Sequence, residues 1–276
     1  VPGAAGPRAD ALVARLRRAG CVFAEEEAAL LLEDDPPRAV LEARAARRCA
    51  GEPLEQVLGW AAFAGLRVAV APGVFVPRRR SELLAREAVG RAARAQEAAR
   101  ARGGRAVVVD LCCGSGALAL VVAVRVPGAE VHAADVDPAA AACAAHNLRG
   151  AAGGSAGSGR VHTGDLFDAL PPDLRGRVDV LVVNAPYVPR DQVALMPPEA
   201  RDHEPRLALD GGGDGLDVHR RVAAGARSWL SPGGVLLVET SARQAEGTED
   251  ACRAGGLAPS TATDEVLEAA VVVALA

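Results

Sequence analysis

The sequence predicts an α/β fold in which strands and helices alternate around an open, largely parallel sheet. Three observations carry that expectation. Short, nearly continuous apolar runs at residues 106–109, 130–134, 178–183, 235–239 and 270–275 read as buried strands, and stretches of helical periodicity separate them. The first run ends at Asp110 and passes through Gly114-Ser115-Gly116 into an apolar helix, an arrangement that suits nucleotide binding. The run 178–183 breaks at Asn184-Ala185-Pro186-Tyr187, and a strand end is where an open α/β sheet places its chemistry.

The 276 residues are 50% hydrophobic, enough for one large domain or one plus a small one. A net charge of −4 gives no general nucleic-acid footprint. Neither Lys nor Ile occurs, so every basic side chain in the Lys+Arg count is Arg, a bias that fits GC-rich coding. The six cysteines show no CxxC pair and no His at finger spacing, so no metal is expected and each acts as a small apolar residue in a reducing compartment. No stretch has the length of a membrane span and no signal-peptide pattern opens the chain, which leads to the expectation of a cytoplasmic protein.

Residues 8–50 carry Leu12, Val13 and Leu16, then Ala28, Leu31 and Leu32, then Val40 and Leu41, at helical spacing. Three short helices follow from this, with Gly20 and Pro36-Pro37 as turns, and residues 1–50 read as a recognition or lid domain or a plain structural extension. Alternating apolar residues at 66–70 and 74–76 around Ala71-Pro72-Gly73 predict a β-hairpin, so residues 51–80 form a linker. Ser81 is expected to cap a long helix from about residue 82 to 102, within a sheet domain spanning 81–276. Arg78, Arg79 and Arg80 are a solvated face or, functionally, a contact for an anionic or backbone group beside a cleft.

Glycines in the turn after Asp110 let backbone approach a ligand, and the helix start offers free N–H groups. With Ala119 following, the spacing also fits a dinucleotide fingerprint, so NAD stands beside S-adenosylmethionine. Asp135 ends the next strand nineteen residues after Gly116, where its carboxylate can accept from both ribose hydroxyls of either ligand. Asp137 should cap the helix opened by Pro138 and running to about residue 149. Residues 150–159 read as a flexible surface loop. Beyond a third strand at 161–163, Asp165 can accept from an adenine amino group.

Pro186 fixes its own φ and biases Ala185 toward extended backbone, so the Asn184 side chain and the Ala185 carbonyl can point into one pocket. Tyr187, the single tyrosine, is a candidate wall for a flat substrate group; the bland alternative is an ordinary proline turn. The polar, glycine-rich stretch 195–216 reads as a lid or binding loop. His203 within it invites a catalytic reading, yet no Ser or Cys nucleophile pairs with it by any motif. A helix at 217–230, a turn at Pro232-Gly233-Gly234 and a helix at 244–254 complete the alternation.

Together these residues resemble the class I S-adenosylmethionine-dependent methyltransferases, and more closely the HemK/PrmC protein-glutamine methyltransferases. Those enzymes modify the amide nitrogen of the glutamine in the Gly-Gly-Gln motif of peptide release factors. The similarity covers almost the whole chain: the helical start, Gly51-Glu52-Pro53-Leu54, Val76-Pro77-Arg78, residues 110–116, Asp165-Leu166-Phe167, the Asn184 turn and, most specifically, residues 201–212. It implies a class I methyltransferase fold, a Rossmann-like seven-stranded sheet with a final antiparallel strand, preceded by a small helical N-terminal domain and a β-hairpin linker. It implies that the loop Cys112, Cys113, Gly114, Ser115 and Gly116, with Asp110 at its base, holds the methionine part of S-adenosylmethionine. Asp135 would hold the ribose, Asp165 and Leu166 would border the adenine, and Asn184 would face both cofactor and substrate. The implied catalytic turn is Asn184, Ala185, Pro186 and Tyr187, with Asn184 and the Ala185 carbonyl receiving the substrate amide. The implied partner is a release factor or related protein, with no stable nucleic-acid binding, no membrane and no metal.

Three departures stand out. The family's Asn-Pro-Pro-Tyr is here Asn-Ala-Pro-Tyr, its Pro-Arg-Pro-Glu-Thr-Glu is Pro77-Arg78-Arg79-Arg80-Ser81-Glu82, and its cofactor loop, which opens with Gly, starts with Cys112-Cys113. The first keeps the backbone carbonyl; the second replaces an acid by Arg at the cleft edge. Rival readings are an amino-methyltransferase acting on adenine in DNA or RNA and a cofactor-binding relic that docks without methylating. An NAD dehydrogenase is more distant, because nothing after the first βαβ unit supplies a hydride-transfer site.

Overall fold

The computed structural model describes residues 7–151 and 159–276. Helices α1 (Pro7–Arg18), α2 (Ala24–Leu32) and α3 (Arg38–Cys49) form a bundle closed by a short α4 (Leu54–Leu58). Leu12, Leu16, Ala28, Leu31, Leu41, Ala45 and, from α4, Val57 fill its interior. At its edge Arg48 is buried against Glu27, with Nε to Oε2 at 2.6 Å and Nη2 to Oε1 at 2.9 Å. Arg48 also reaches Glu199 at 2.7 Å, tying the bundle to the polar connection that follows the Asn184 turn.

The hairpin is present but lies earlier than the sequence predicts. β1 (Trp60–Phe63) and β2 (Leu66–Ala69) pair antiparallel, with Phe63 opposite Leu66. Their two-residue turn, Ala64-Gly65, places both residues at positive φ, 49° and 77°. Hairpin twist demands that geometry, but Ala is a poor signal for it, whereas Ala71-Pro72-Gly73 looks like a turn and is one, without flanking paired strands. Ser81 also departs from expectation. It sits in a helical conformation (φ −68°, ψ −6°), inside a short 3₁₀ turn, so its side chain cannot cap α5 (Glu82–Ala101) and makes no cap bond.

The main sheet has seven strands: β3 (Val107–Leu111), β4 (Glu130–Asp135), β5 (Arg160–Thr163), β6 (Val178–Val183), β7 (Leu230–Thr240), β8 (Ala258–Asp264) and β9 (Ala269–Leu275). Their order is β5-β4-β3-β6-β7-β9-β8, parallel from β5 through β7, with β9 antiparallel to both neighbours. Helices α6 (Ala117–Arg125) and α7 (Pro138–Ala151) cover one face with α5, while α9 (Asp217–Ala226) and α10 (Ala245–Ala254) cover the other. Side-chain alternation divides β3 between two cores: Val108 packs under α5 and α6, and Val107, Val109 and Leu111 pack toward Trp229 and α9. Burial on both faces is why these strands read as continuous apolar runs. The strand β8 was not anticipated, because its residues are small and polar and it closes the open edge of the sheet.

Asp137 caps α7 as expected, its Oδ1 accepting from Ala139 N at 2.8 Å. Of the loop predicted at 150–159, residues 150 and 151 instead continue α7, and residues 152–158 lie outside the described residues. After β6, the polar connection folds back through a small helix, α8 (Pro198–His203), and pairs Val188 with Asp210. The reversal of strand order beside β3 opens a crevice above the carboxyl ends of β3, β4 and β6, where such sheets bind ligands.

Candidate active site

Three acidic side chains stand at or near the carboxyl ends of strands around this crevice: Asp110 on β3, Asp135 on β4 and Glu239 on the neighbouring β7. Asp110 is buried beneath the loop rather than lining the cleft, and its Oδ2 accepts from Ala119 N at 3.0 Å, pinning the first turn of α6 to β3. Its Oδ1 has no partner, and burial pushes its carboxyl up to about 8. Asp135 faces the cleft. It accepts from Gly114 N at 2.8 Å and from Asp137 N at 2.9 Å, so the carboxylate holds the glycine loop in place and keeps lone pairs directed outward. Burial raises its pKa, partly opposed by those two N–H bonds.

Of the predicted loop, Cys112 and Gly114 line the cleft; Cys113, Ser115 and Gly116 do not. Cys113 and Ser115 are buried. The Ser115 carbonyl accepts from Asn147 Nδ2 at 2.8 Å, and a Cβ on Gly116 would meet the Ala144 Cβ at 2.8 Å, so this end of the loop serves the contact between α6 and α7. Gly114 has φ +55° and open space where a Cβ would stand, leaving a shelf on the cleft wall. Cys112 (φ 56°) and Leu166 (φ 48°) are held in the left-handed region without being glycine, a strained geometry of the kind found at ligand clamps. Burial and the nearby Asp135 raise the Cys112 thiol, so it is no thiolate nucleophile. Asp165 pairs with Arg221 at 2.7 Å and lines the cleft beside Leu166.

Asn184, Ala185, Pro186 and Tyr187 form the opposite wall. Asn184 Nδ2 donates to Ser81 Oγ at 3.1 Å, which engages the nitrogen end of the amide and leaves Oδ1 as its available acceptor. The Tyr187 hydroxyl accepts from Arg80 Nη1 at 3.4 Å and donates to Glu239 Oε1 at 3.5 Å. Glu239 is 2% exposed, and its Oε2 has no partner. The glycine-rich run of the connection braces this turn from behind. A Cβ on Gly211 would fall 2.7 Å from the Pro186 carbonyl oxygen, and one on Gly215 would fall 2.3 Å from that of Tyr187. Gly is therefore the one residue that lets the two backbones lie together.

His203, the histidine that invited a catalytic role, is absent from the cleft lining and lies beside Gly51. Its neighbour Glu204 matters structurally: buried, it accepts from Val76 N at 3.1 Å and pairs with Arg78 at 2.5 Å. Sequence reasoning missed Glu204, Ser81 as a partner of Asn184, and Glu239. For Glu239 a signal existed, since it ends an apolar strand as Asp110 and Asp135 do. Among the described residues no group of three or more His, Cys, Asp or Glu could hold a metal ion.

A strand-reversal crevice with an acid-tipped β4, a glycine loop after β3 and a polar turn after β6 defines a class I methyltransferase fold. A methyltransferase from Pyrococcus furiosus superposes with a TM-score of 0.55 at 16% identity, over 85% of this chain and 98% of that one. Residues 95–199 match the family model "Methyltransferase small domain". The release factor glutamine methyltransferase of Mycolicibacterium smegmatis is 41% identical over 252 residues, 88% of this chain and 82% of that protein. That of Streptomyces coelicolor is 42% identical over 196 residues, 70% of this chain, and the match spans just under two thirds, 64%, of that protein. A 4-amino-L-phenylalanine/4-methylamino-L-phenylalanine methyltransferase of Streptomyces pristinaespiralis is 40% identical over 211 residues, 76% of this chain and 68% of that one. The chain belongs to the release factor glutamine methyltransferase family.

Proposed function

We propose that the chain transfers a methyl group from S-adenosylmethionine to the side-chain amide nitrogen of a glutamine in a protein, with the Gly-Gly-Gln motif of a release factor as the expected target. The observation that carries this is the anchored Asn184 amide: Ser81 takes its nitrogen, so its oxygen is the end available to a substrate N–H. The crevice fits the cofactor in shape and chemistry, with the open shelf at Gly114 and a carboxylate at Asp135 that has spare lone pairs. Asp135 would take the ribose hydroxyls, Cys112 and Gly114 the methionine end, and Asp165 with Leu166 the edge of the adenine. When bound, S-adenosylmethionine supplies an electrophilic methyl on sulfur.

An amide nitrogen is a poor nucleophile because its lone pair is delocalised into the carbonyl. Asn184 Oδ1 and the Ala185 carbonyl would accept its two N–H bonds, fixing its position and returning electron density to the nitrogen. Tyr187 would pack along the glutamine side chain. Catalysis then rests on positioning and electrostatics, with no obligatory base. Incubation of the protein with labelled S-adenosylmethionine and purified release factor, followed by mass spectrometry, tests this; label on the Gly-Gly-Gln glutamine is expected, and none despite cofactor binding refutes it.

A second reading draws on Arg80. Arg78 and Arg221 line the same cleft and are paired with Glu204 and Asp165, whereas the exposed Arg80 has no carboxylate within ion-pair distance among the described residues. A cation at that wall whose side-chain contact is the Tyr187 hydroxyl and not a carboxylate suits a small amine that carries a carboxylate, and the Streptomyces pristinaespiralis relative bears the name of an enzyme for such an amino acid. Offering a release-factor domain and 4-amino-L-phenylalanine in competition separates the two readings by which one gains the methyl.

A further inference from the structure

The Tyr187 carbonyl, on the backbone that closes the Asn184 turn, accepts from Gln244 Nε2 at 2.9 Å. The same nitrogen donates its second hydrogen to the Asp214 carbonyl at 3.0 Å, and Gln244 Oε1 accepts from the Ser241 hydroxyl at 2.7 Å. Three segments thus meet on one side chain: the turn after β6, the glycine-rich run and the connection from β7 to α10. Two carbonyls that converge from different segments are both acceptors, and an amide nitrogen donates to each of them without adding charge. Gly215 keeps the approach open, since a Cβ there would stand 2.4 Å from Gln244 Nε2.

We propose that Gln244 is a positioning residue for the methyl transfer, fixing the exit of the Asn184 turn as Pro186 fixes its middle. The inference deepens the proposed amide methylation and takes its catalytic meaning from it. Gln244 is not among the residues that line the cleft, so it acts through Tyr187. Its bond sets the plane of the peptide that follows Tyr187. With that plane held, the Tyr187 ring and, two residues earlier, the Ala185 carbonyl keep the orientation that the substrate amide requires.

The base of this clamp is itself fixed. Gln244 stands at the start of α10, where its carbonyl accepts from Thr248 N at 2.9 Å and from the Thr248 hydroxyl at 3.1 Å, and its own N–H donates to the Ser241 carbonyl at 3.0 Å. Thr248 also shares a hydrogen bond with His219 Nδ1 at 3.0 Å, so the clamp grows out of the buried contact between α9 and α10. The bond to the Asp214 carbonyl lies exposed, where water would satisfy that oxygen equally well. Its use is to tie the glycine run to the turn.

Tyr187 is the single tyrosine, so protein labelled with tyrosine carrying ¹³C at the carbonyl gives one labelled resonance, that of the accepting group. Gln244→Glu keeps the shape and loses both donors, and the uncharged Gln244→Met separates that loss from the added charge. Each should move the Tyr187 carbonyl resonance toward that of a weaker hydrogen bond and lower kcat by about 10- to 100-fold, the scale of a misplaced reacting group. S-adenosylmethionine affinity, which also reports an intact fold, should stay at the wild-type value. A carbonyl resonance unmoved in both variants, or one that moves while kcat does not, overturns the proposal. Lost cofactor affinity in both variants overturns it too, because Gln244 would then support the fold as a whole. The resonance and the affinity need no methyl acceptor, so a wild type that methylates no release factor sinks the proposed function and leaves the resonance to decide whether Gln244 holds the turn.

Discussion

The Asn184 amide can present either of two chemically opposite ends to the cleft, and Ser81 takes the nitrogen end at 3.1 Å. Asn184→Ala is therefore expected to keep cofactor affinity and to lower the methylation rate by about 10²-fold or more, on the scale of a lost oxyanion-hole donor. Calorimetric titration with S-adenosylmethionine and a labelled-methyl assay separate the two effects. Asp135 is expected to show the reverse dependence. Because it both orients Gly114 N at 2.8 Å and faces the cleft where the proposed ribose contact lies, Asp135→Ala should weaken cofactor binding by about 10- to 100-fold, the worth of one or two charge-assisted hydrogen bonds. The same titration reads that loss, and unchanged affinity would remove Asp135 from the cofactor site.

At the scale of elements, the segment 184–187 is shaped as much by the glycine run behind it as by its own proline. Gly211 has an ordinary φ, yet an added Cβ would stand 2.7 Å from the Pro186 carbonyl oxygen and 2.6 Å from that of Gly215. Gly211→Ala should thus push the turn forward, costing ~1–3 kcal/mol of stability by overpacking and a larger fraction of activity. Urea unfolding beside a rate measurement tests that ratio. What was legible at this scale followed burial. β3, β4 and β6 are enclosed on both faces and announce themselves as apolar runs, and the aspartates that end β3 and β4 were found with them. The edge strand β8 and the Ala64-Gly65 hairpin were not legible, because small polar residues and an alanine at positive φ carry no periodic or turn signal.

Across the whole molecule the cleft is assembled from segments far apart in sequence: Asn184 and Ser81 are 103 residues apart, and Tyr187 and Glu239 are 52 apart. The residues of the Asn184 turn could be named from the sequence because they are contiguous. Their partners could not, since no spacing rule links this turn to a serine before α5 or to an acid on β7. The buried His219 links fold stability to pH. Burial lowers its pKa from 6.5 to about 4, so the unfolded chain takes up a proton before the folded one does. The stability it supports is complete above pH 6.5 and declines as pH falls toward about 4, which denaturant midpoints measured across that window should show. In His219→Gln that part of the decline should vanish.

The reaction proposed for the Asn184 turn is the placing of a methyl group on a glutamine amide. Its most direct measurement is the site of label after reaction of wild-type protein and Asn184→Ala with S-adenosylmethionine and release factor. N-methylglutamine at the Gly-Gly-Gln motif is expected with the wild type, and an appearance at least ~10²-fold slower with the variant. Label on another residue type, or equal rates for the two proteins, would contradict it.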